Sequence, residues 1–298
     1  MVIKAVWIIV LPIIAFIIGV FFLGLSRKVI ARIHRRYGPP IYQPVIDLIK
    51  LMNQKSVSHG RLFDMGVILS LAGSIVLVLF IPFGGIAPLS GSGDFLVVLY
   101  LMLLAPLGVA LSGGEGANPN ISIGISRKMM LSLGYEVPLL FSILAVMTYY
   151  KTTSLVEITK AQQHLSWGLI YLPLPAIAYF MILPAMLGIR PFDIVSAPQE
   201  ISSGPSVEYG GKYLALMTVE HAFHTFIVLA LFVDLFLGGG NPFTFFVKML
   251  VVFLLGLFIH AVFPRFRIDQ AIKYCWKWPA ILALAGLIIA YVVTKIPL

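Results

Sequence analysis

Runs of eighteen or more residues with almost no charge recur along this chain, and they limit its fold more than any other feature. A soluble fold of this size cannot bury so much apolar surface, whereas a bilayer asks for about 20 apolar residues per helical span. Eight spans are predicted, over residues 5–25, 63–83, 95–112, 129–150, 167–188, 213–237, 243–263 and 278–296. The chain is therefore read as one polytopic, all-α membrane domain covering residues 1–298. Only 11% of its residues are charged, against about 25% in ordinary soluble domains. That excludes a soluble enzyme, a disordered chain and a fibrous protein. An outer-membrane barrel would show strands of about ten alternating residues instead.

The charges that remain are unevenly placed. Net charge is +9, and the positive-inside bias accounts for it without nucleic acid. Arg27, Lys28, Arg32, Arg35, Arg36, Lys50, Lys55 and Arg61 follow the first span; Arg127 and Lys128 follow the third. Arg190 and Lys212 follow the fifth, and Arg265, Arg267, Lys273 and Lys277 follow the seventh. Lys4, Lys151, Lys160 and Lys295 are left for the other side, with Lys248 inside the seventh span. This 16-to-4 division predicts a multi-pass protein of the cell membrane with both termini outside and the basic loops in the cytoplasm. The N-terminus lacks the small-residue cleavage site of a secretory signal. Residues 42–53 within the long first loop carry Val45, Ile46, Leu48, Ile49 and Leu51 near helical spacing, which predicts an amphipathic helix at the membrane interface. No internal repeat is seen, which disfavours a secondary transporter.

Cys275 is the single cysteine, so neither a several-thiolate zinc site nor an iron–sulfur cluster can be built here. No metal ligands and no catalytic residues are expected in this chain. Charges inside spans are costly and face a partner or water. Glu136 lies in the fourth span, Glu220, His221, His224 and Asp234 in the sixth, and Lys248 and His260 in the seventh. Glu220 and His224 are four apart and share a helix face. They could be an interhelical hydrogen-bonded pair, a step in a hydrated proton path, or ligands of a metal, although no second cluster completes a metal set. Glu136 divides between interhelical contact and relay, and Lys248 could balance a buried carboxylate. Prolines at 12, 82, 106, 138, 173, 175 and 184 break helices and free carbonyls, toward packing or a wet cavity. Loop 189–212 gathers Asp193, Glu200 and Glu208 among small, rigid residues.

Together these residues form a recognisable order: Arg36-Tyr37-Gly38-Pro39, Asp47-Leu48-Ile49-Lys50, Gly134-Tyr135-Glu136-Val137, Pro191-Phe192-Asp193, Gln199-Glu200, Glu208-Tyr209 and Pro264-Arg265-Phe266-Arg267-Ile268-Asp269-Gln270. Over nearly its whole length the chain resembles the membrane subunit shared by respiratory complex I (its H, or first mitochondrially encoded, subunit) and the group 4 energy-converting membrane-bound NiFe hydrogenases. The resemblance implies a subunit that anchors a cytoplasmic redox arm and couples it to proton or sodium movement. It implies a charge path through Glu136, Asp193, Glu200 and Glu208, with Lys248 matching a family lysine; Glu220 and His224, from the residue reading, are expected to extend that path. Arg35, Arg36, Asp47, Lys50, Arg265, Arg267 and Asp269 are the residues expected to dock the arm. The implied partners are hydrogenase-like large and small subunits, an iron–sulfur subunit, antiporter-like membrane subunits, lipid, and ferredoxin as electron donor. This chain would bind no cofactor, with the NiFe centre and iron–sulfur clusters on those partners.

Ser196 and Pro198 stand where complex I has further glutamates, and His260 where an arginine is expected. Gly38-Pro39-Pro40 is similar to the hydrogenase branch. These departures point away from a quinone chamber and toward a ferredoxin-linked hydrogenase or its sulfur-reducing relative. The rival expectations are a quinone-site subunit of a complex I-like oxidoreductase and, from another class, a stand-alone cation transporter.

Overall fold

The computed structural model describes residues 2–295 apart from Ser92, Ala117 and Leu165, with the side chains of residues 2–5 and of His164 left aside. The charge of Lys4 and the predicted span end at Ile296 lie outside the described residues. The described residues form helices α1 (Val2–Ile33), α2 (Gln43–Met52), α3 (Arg61–Val78), α4 (Asp94–Gly114), α5 (Pro119–Tyr150), α6 (Leu155–His164) and α7 (Gly168–Tyr171). There follow α8 (Pro173–Met186), α9 (Pro198–Ile201), α10 (Gly211–Phe236), α11 (Pro242–Val262), α12 (Ile268–Lys277) and α13 (Pro279–Lys295). The protein is an all-α integral membrane protein, and seven apolar helices among the described residues are long enough to cross a bilayer.

The fifth predicted span is corrected. Residues 167–188 are not one helix but the single turn α7 and the 14-residue α8. Leu172 between them leaves the helical region (φ −126°, ψ 59°), because Pro173 and Pro175 offer no N–H to continue a helical ladder. At 1.5 Å per residue α8 is about 21 Å long, short of a hydrocarbon core of about 30 Å. The 264–277 loop is also corrected, since most of it is α12, which continues past Trp278 into α13. The amphipathic helix predicted over 42–53 is α2, with Pro44 and Leu48 buried and Val45, Ile46 and Ile49 exposed.

Segments between helices gather at two ends. At the basic end His59 meets Glu208, Arg127 meets Glu200 and Arg265 meets Asp193, so the segments after α2, α8 and α11 and the first turns of α5 are neighbours. At the far end the Phe95 amide bonds to Thr153 O, and Gln162 bonds to the carbonyls of Asp234 and Leu235. Helix α10 runs through the middle, with Thr225–Phe236 buried on every side, as a helix apolar all round should be.

Lipid tails give apolar helices no hydrophobic reason to associate, so close backbone approach must supply the contact. Between α3 and α4 it does. A Cβ added at Gly66 would lie 2.5 Å from Gly108 O, and one at Gly108 2.5 Å from Gly66 O. Ser70 on the same face donates to Ala105 O at 3.2 Å. Helix α1 meets α10 the same way, with Gly19 against the Ala222 carbonyl.

Candidate functional site

Helix α5 begins ten residues earlier than the predicted span. Asn118 caps it, its side chain accepting from the Asn120 amide at 3.0 Å, and Pro119 follows at the first helical position. Arg127 and Lys128 therefore lie inside the helix and not in a loop. Lys128, Leu131 and Tyr135 follow at i, i+3 and i+7, one face of α5. From α10, Glu220, His221 and His224 come to the same place. Together with Asp193, Ser196 and Ser206 from the loop after α8, they line a chamber of about 330 Å³. Ala105, Pro106, Met186 and Leu187 supply apolar wall.

Glu220 is buried, and its Oε1 accepts from Ser74 Oγ at 3.3 Å. Lys128 is the cation whose charge acts on it. A second cavity of about 230 Å³ lies between α4 and α5, lined by Leu96, Tyr100, Tyr135, Glu136, Leu140 and His224. Tyr135 and His224 belong to both cavities. The second reaches the outer face of the molecule, where Leu96 and Tyr100 are exposed. Ionisable groups thus run from Asp193 at the basic end, past Lys128, Glu220 and His224, to Glu136 at the flank.

The predicted acidic trio divides three ways. Asp193 alone lines the chamber. Its Oδ1 accepts from Ser196 Oγ, and its Oδ2 from Arg265 Nη2 at 3.1 Å. Glu200 lies outside, half-exposed, bridged by Arg127 Nη1 at 2.8 Å and Arg265 Nη1 at 3.4 Å. The hydrogen bond from Arg127, and then those from Arg265, hold its carboxyl below the usual carboxylate range. Glu208 faces elsewhere, its Oε2 3.0 Å from His59 Nε2. Next to it Tyr209 is bonded to Ser112 through its hydroxyl, and burial raises that phenol.

Phe192 fastens the loop by packing on Phe266 and Tyr274, with ring centroids 5.5 and 5.6 Å apart. The Phe266 amide donates to Pro191 O at 2.9 Å. Ala197, Ser202 and Ser203 take φ of 22°, 51° and 75°, backbone strain of the kind that surrounding structure must hold in place.

Lys248 does not join the chamber. It lies at the far end, donating to Leu237 O at 2.6 Å and Gly239 O at 2.7 Å. The predicted docking residues lie at the basic end. Arg35, Arg36, Lys50, Arg267 and Asp269 are exposed. Asp47 accepts from Gln43 at 2.9 Å and Arg27 at 3.0 Å, and its carboxyl is lowered by Gln43 first and Arg27 second. Arg265, Arg267 and Asp269 edge a surface cleft of about 490 Å³ with Arg127 and Glu200.

Sequence reasoning did not single out Lys128, Arg127, Tyr135 or His59 as site residues. For the first three a signal existed: Asn118-Pro119 marks a helix start, and starting α5 there puts Lys128 and Tyr135 on one face. His59 carried no such signal. Among the described residues no three His, Cys, Asp or Glu side chains converge on a metal-sized point.

Helical spans around a charged chamber, with arginines gathered at one end, define a multi-pass membrane protein. The chain matches the family described as NADH dehydrogenase over residues 4–291 and belongs to it. It is 30% identical over 308 aligned positions to the H subunit of NADH-quinone oxidoreductase from Aquifex aeolicus (strain VF5), covering 93% of this chain and 92% of that one. It is 31% identical over 227 residues to Hydrogenase-4 component C of Escherichia coli (strain K12), covering 74% and 71%. Its fold superposes with a TM-score of 0.91, at 41% identity, on a chain of the membrane-bound sulfane sulfur reductase, an archaeal respiratory membrane complex. That match covers 96% of this chain and 99% of the other. The chain is thus a membrane subunit of the kind found in complex I-like, hydrogenase and sulfane sulfur reductase complexes.

Proposed function

We propose that this chain anchors a cytoplasmic redox arm of the hydrogenase type and passes charge from the base of that arm to antiporter-like neighbours. The observation that carries the reading is the shared wall of the two cavities. Tyr135 and His224 line both, so a proton displaced at Asp193 has ionisable groups spaced along its way to Glu136. Electrons stay on the partners, whose NiFe centre and iron–sulfur clusters carry the redox chemistry, with ferredoxin as donor. A redox event at the arm's base alters the charge felt by Asp193 through Arg265, and the low-dielectric interior keeps that influence strong along the chamber. Either protons or sodium ions are then moved by the neighbours. The basic end faces the cytoplasm, in keeping with its excess of Lys and Arg.

Glu136→Gln in the native complex tests this. Redox turnover should stay near wild type while ion uptake per electron in sealed vesicles falls well below it. Unchanged uptake would overturn the reading.

The quinone-site reading would need an opening to the bilayer beside α1 and α10, and at Gly19 and Ala222 those two helices are in close backbone contact. A second version, with sulfur compounds as acceptor, is favoured by the 41% identity to a sulfane sulfur reductase chain. Metal content separates the two. Nickel with iron and hydrogen evolution in the purified complex supports the hydrogenase form, and iron without nickel the sulfur-reducing one.

A further inference from the structure

The far end of α10 holds a carboxylate that the chamber does not use. Asp234 is fully buried, and neither of its carboxylate oxygens has a hydrogen-bond partner among the described residues. Burying a charge in this way is costly unless a partner or a proton neutralises it. The helix around it is fixed from α6, where Gln162 donates to the main-chain oxygens of Asp234 and Leu235 at 3.0 and 2.9 Å. Thr159, also from α6, approaches the same turn, and Asp234 Oδ1 lies 3.2 Å from where a Cβ of Gly239 would be. Both α6 side chains are neutral, and Lys248 from α11 is the charged group that acts on Asp234.

Yet Lys248 is bonded elsewhere. Its ammonium donates to Leu237 O and Gly239 O, 2.6 and 2.7 Å away, and stands 5.2 Å from the centre of the Trp167 ring. Gly238, Gly239 and Gly240 all have positive φ (71°, 56° and 125°) and wrap the turn around it. Gly240 and the exposed Thr244 beside the ammonium lead to the far-end surface. The buried carboxylate and the ammonium therefore both border Gly239, and the ammonium has neutral acceptors to rest on.

We propose that Asp234 is a proton-binding site at the far end of the molecule and that Lys248 gates it. With the ammonium on the carbonyls of Leu237 and Gly239, Asp234 carries a proton. When the ammonium swings onto the carboxylate, the Asp234 O–H bond breaks and the proton leaves to water at Gly240. An N–H···O bond from Lys248 takes its place, and Lys248 keeps all its own protons. Asp234 lies 14 residues beyond Glu220, about 21 Å along α10, so the site is separate from the chamber. It stands independently of the coupling reading, since a complex that moved no ions would still hold it.

The test is infrared difference spectroscopy of the native complex, purified through a tag on this chain and titrated with pH. Asp234→Asn should remove one protonated-carboxyl band. Asp234→Glu should shift that band in frequency and keep it, which serves if the asparagine variant does not assemble. Lys248→Gln should hold the band to higher pH, with proton affinity raised about tenfold or more, one pKa unit. A spectrum in which neither Asp234 variant changes a carboxyl band, or a Lys248→Gln titration identical to wild type, would overturn the proposal.

Discussion

Arg265 touches Asp193 and Glu200 at once, so it ties a chamber group to a surface group. Arg265→Gln should free the loop after α8 by about 1 kcal/mol, a value already reduced for the half-exposed Glu200. Hydrogen exchange at the amides of residues 194–201 should then speed up roughly fivefold. Glu200 also sets a pH window. Its carboxyl is lowered in the folded loop by Arg127 and then Arg265, so its contribution is complete above the ordinary glutamate value of about 4.3 and is lost as pH falls through the lowered one. Protection of those amides should be flat near neutrality and collapse only in acid. In Arg127→Gln the collapse should come at higher pH. Equal acid sensitivity in wild type and variant would show that the ion pair does not hold the loop. Loop 189–212 was legible as a place where acids gather, but its division among three settings was not, because nothing in the local pattern tells which acid an arginine 65 or 72 residues away will reach.

At the scale of elements, the α3–α4 seam rests on Gly66, Ser70 and Gly108. Gly108→Val would drive two methyl groups into the Gly66 carbonyl and Ser70. Overpacking of this kind costs about 1–3 kcal/mol, visible as a lower melting temperature of the detergent-solubilised complex and as reduced yield. A melting temperature equal to wild type would mean the helices slide apart freely. The sequence displayed these small residues, but small-residue stripes do not name their partner helix. Helix α5 shows the opposite case. Its early start was legible in Asn118-Pro119, and the apolar window hid it, because hydropathy reports what lipid tolerates and says nothing of where a helix is capped. The break at Leu172 has a local cause, two prolines, and could be read one residue at a time. What the broken helix allows, a chamber wall from Ala185 to Gly188, could not.

For the whole molecule, sidedness is the first matter to test. Single cysteines placed at Lys55 and at Lys151, in a Cys275→Ser background, should label with a membrane-impermeant maleimide on opposite faces of intact cells. Lys151 should label from outside and Lys55 only after permeabilisation; the reverse pattern would invert the topology.

Membrane helices, their approximate limits and the asymmetry of charge were fixed by composition along the chain, because each span must satisfy its own backbone in lipid and each loop charge must stay in water. The interfacial helix α2 followed from one amphipathic stripe for the same reason. Tertiary structure decided which charges share a space. Lys128, Glu220 and His224 lie on helices α5 and α10, some ninety residues apart in sequence, and they meet because α5 and α10 flank one cavity. Asp234 and Lys248 are close neighbours in sequence, yet the ammonium rests on carbonyls and not on the carboxylate. A side chain's partner is set by the path of the backbone around it, and in a helical membrane protein that path is chosen by close packing between faces which look alike in the sequence.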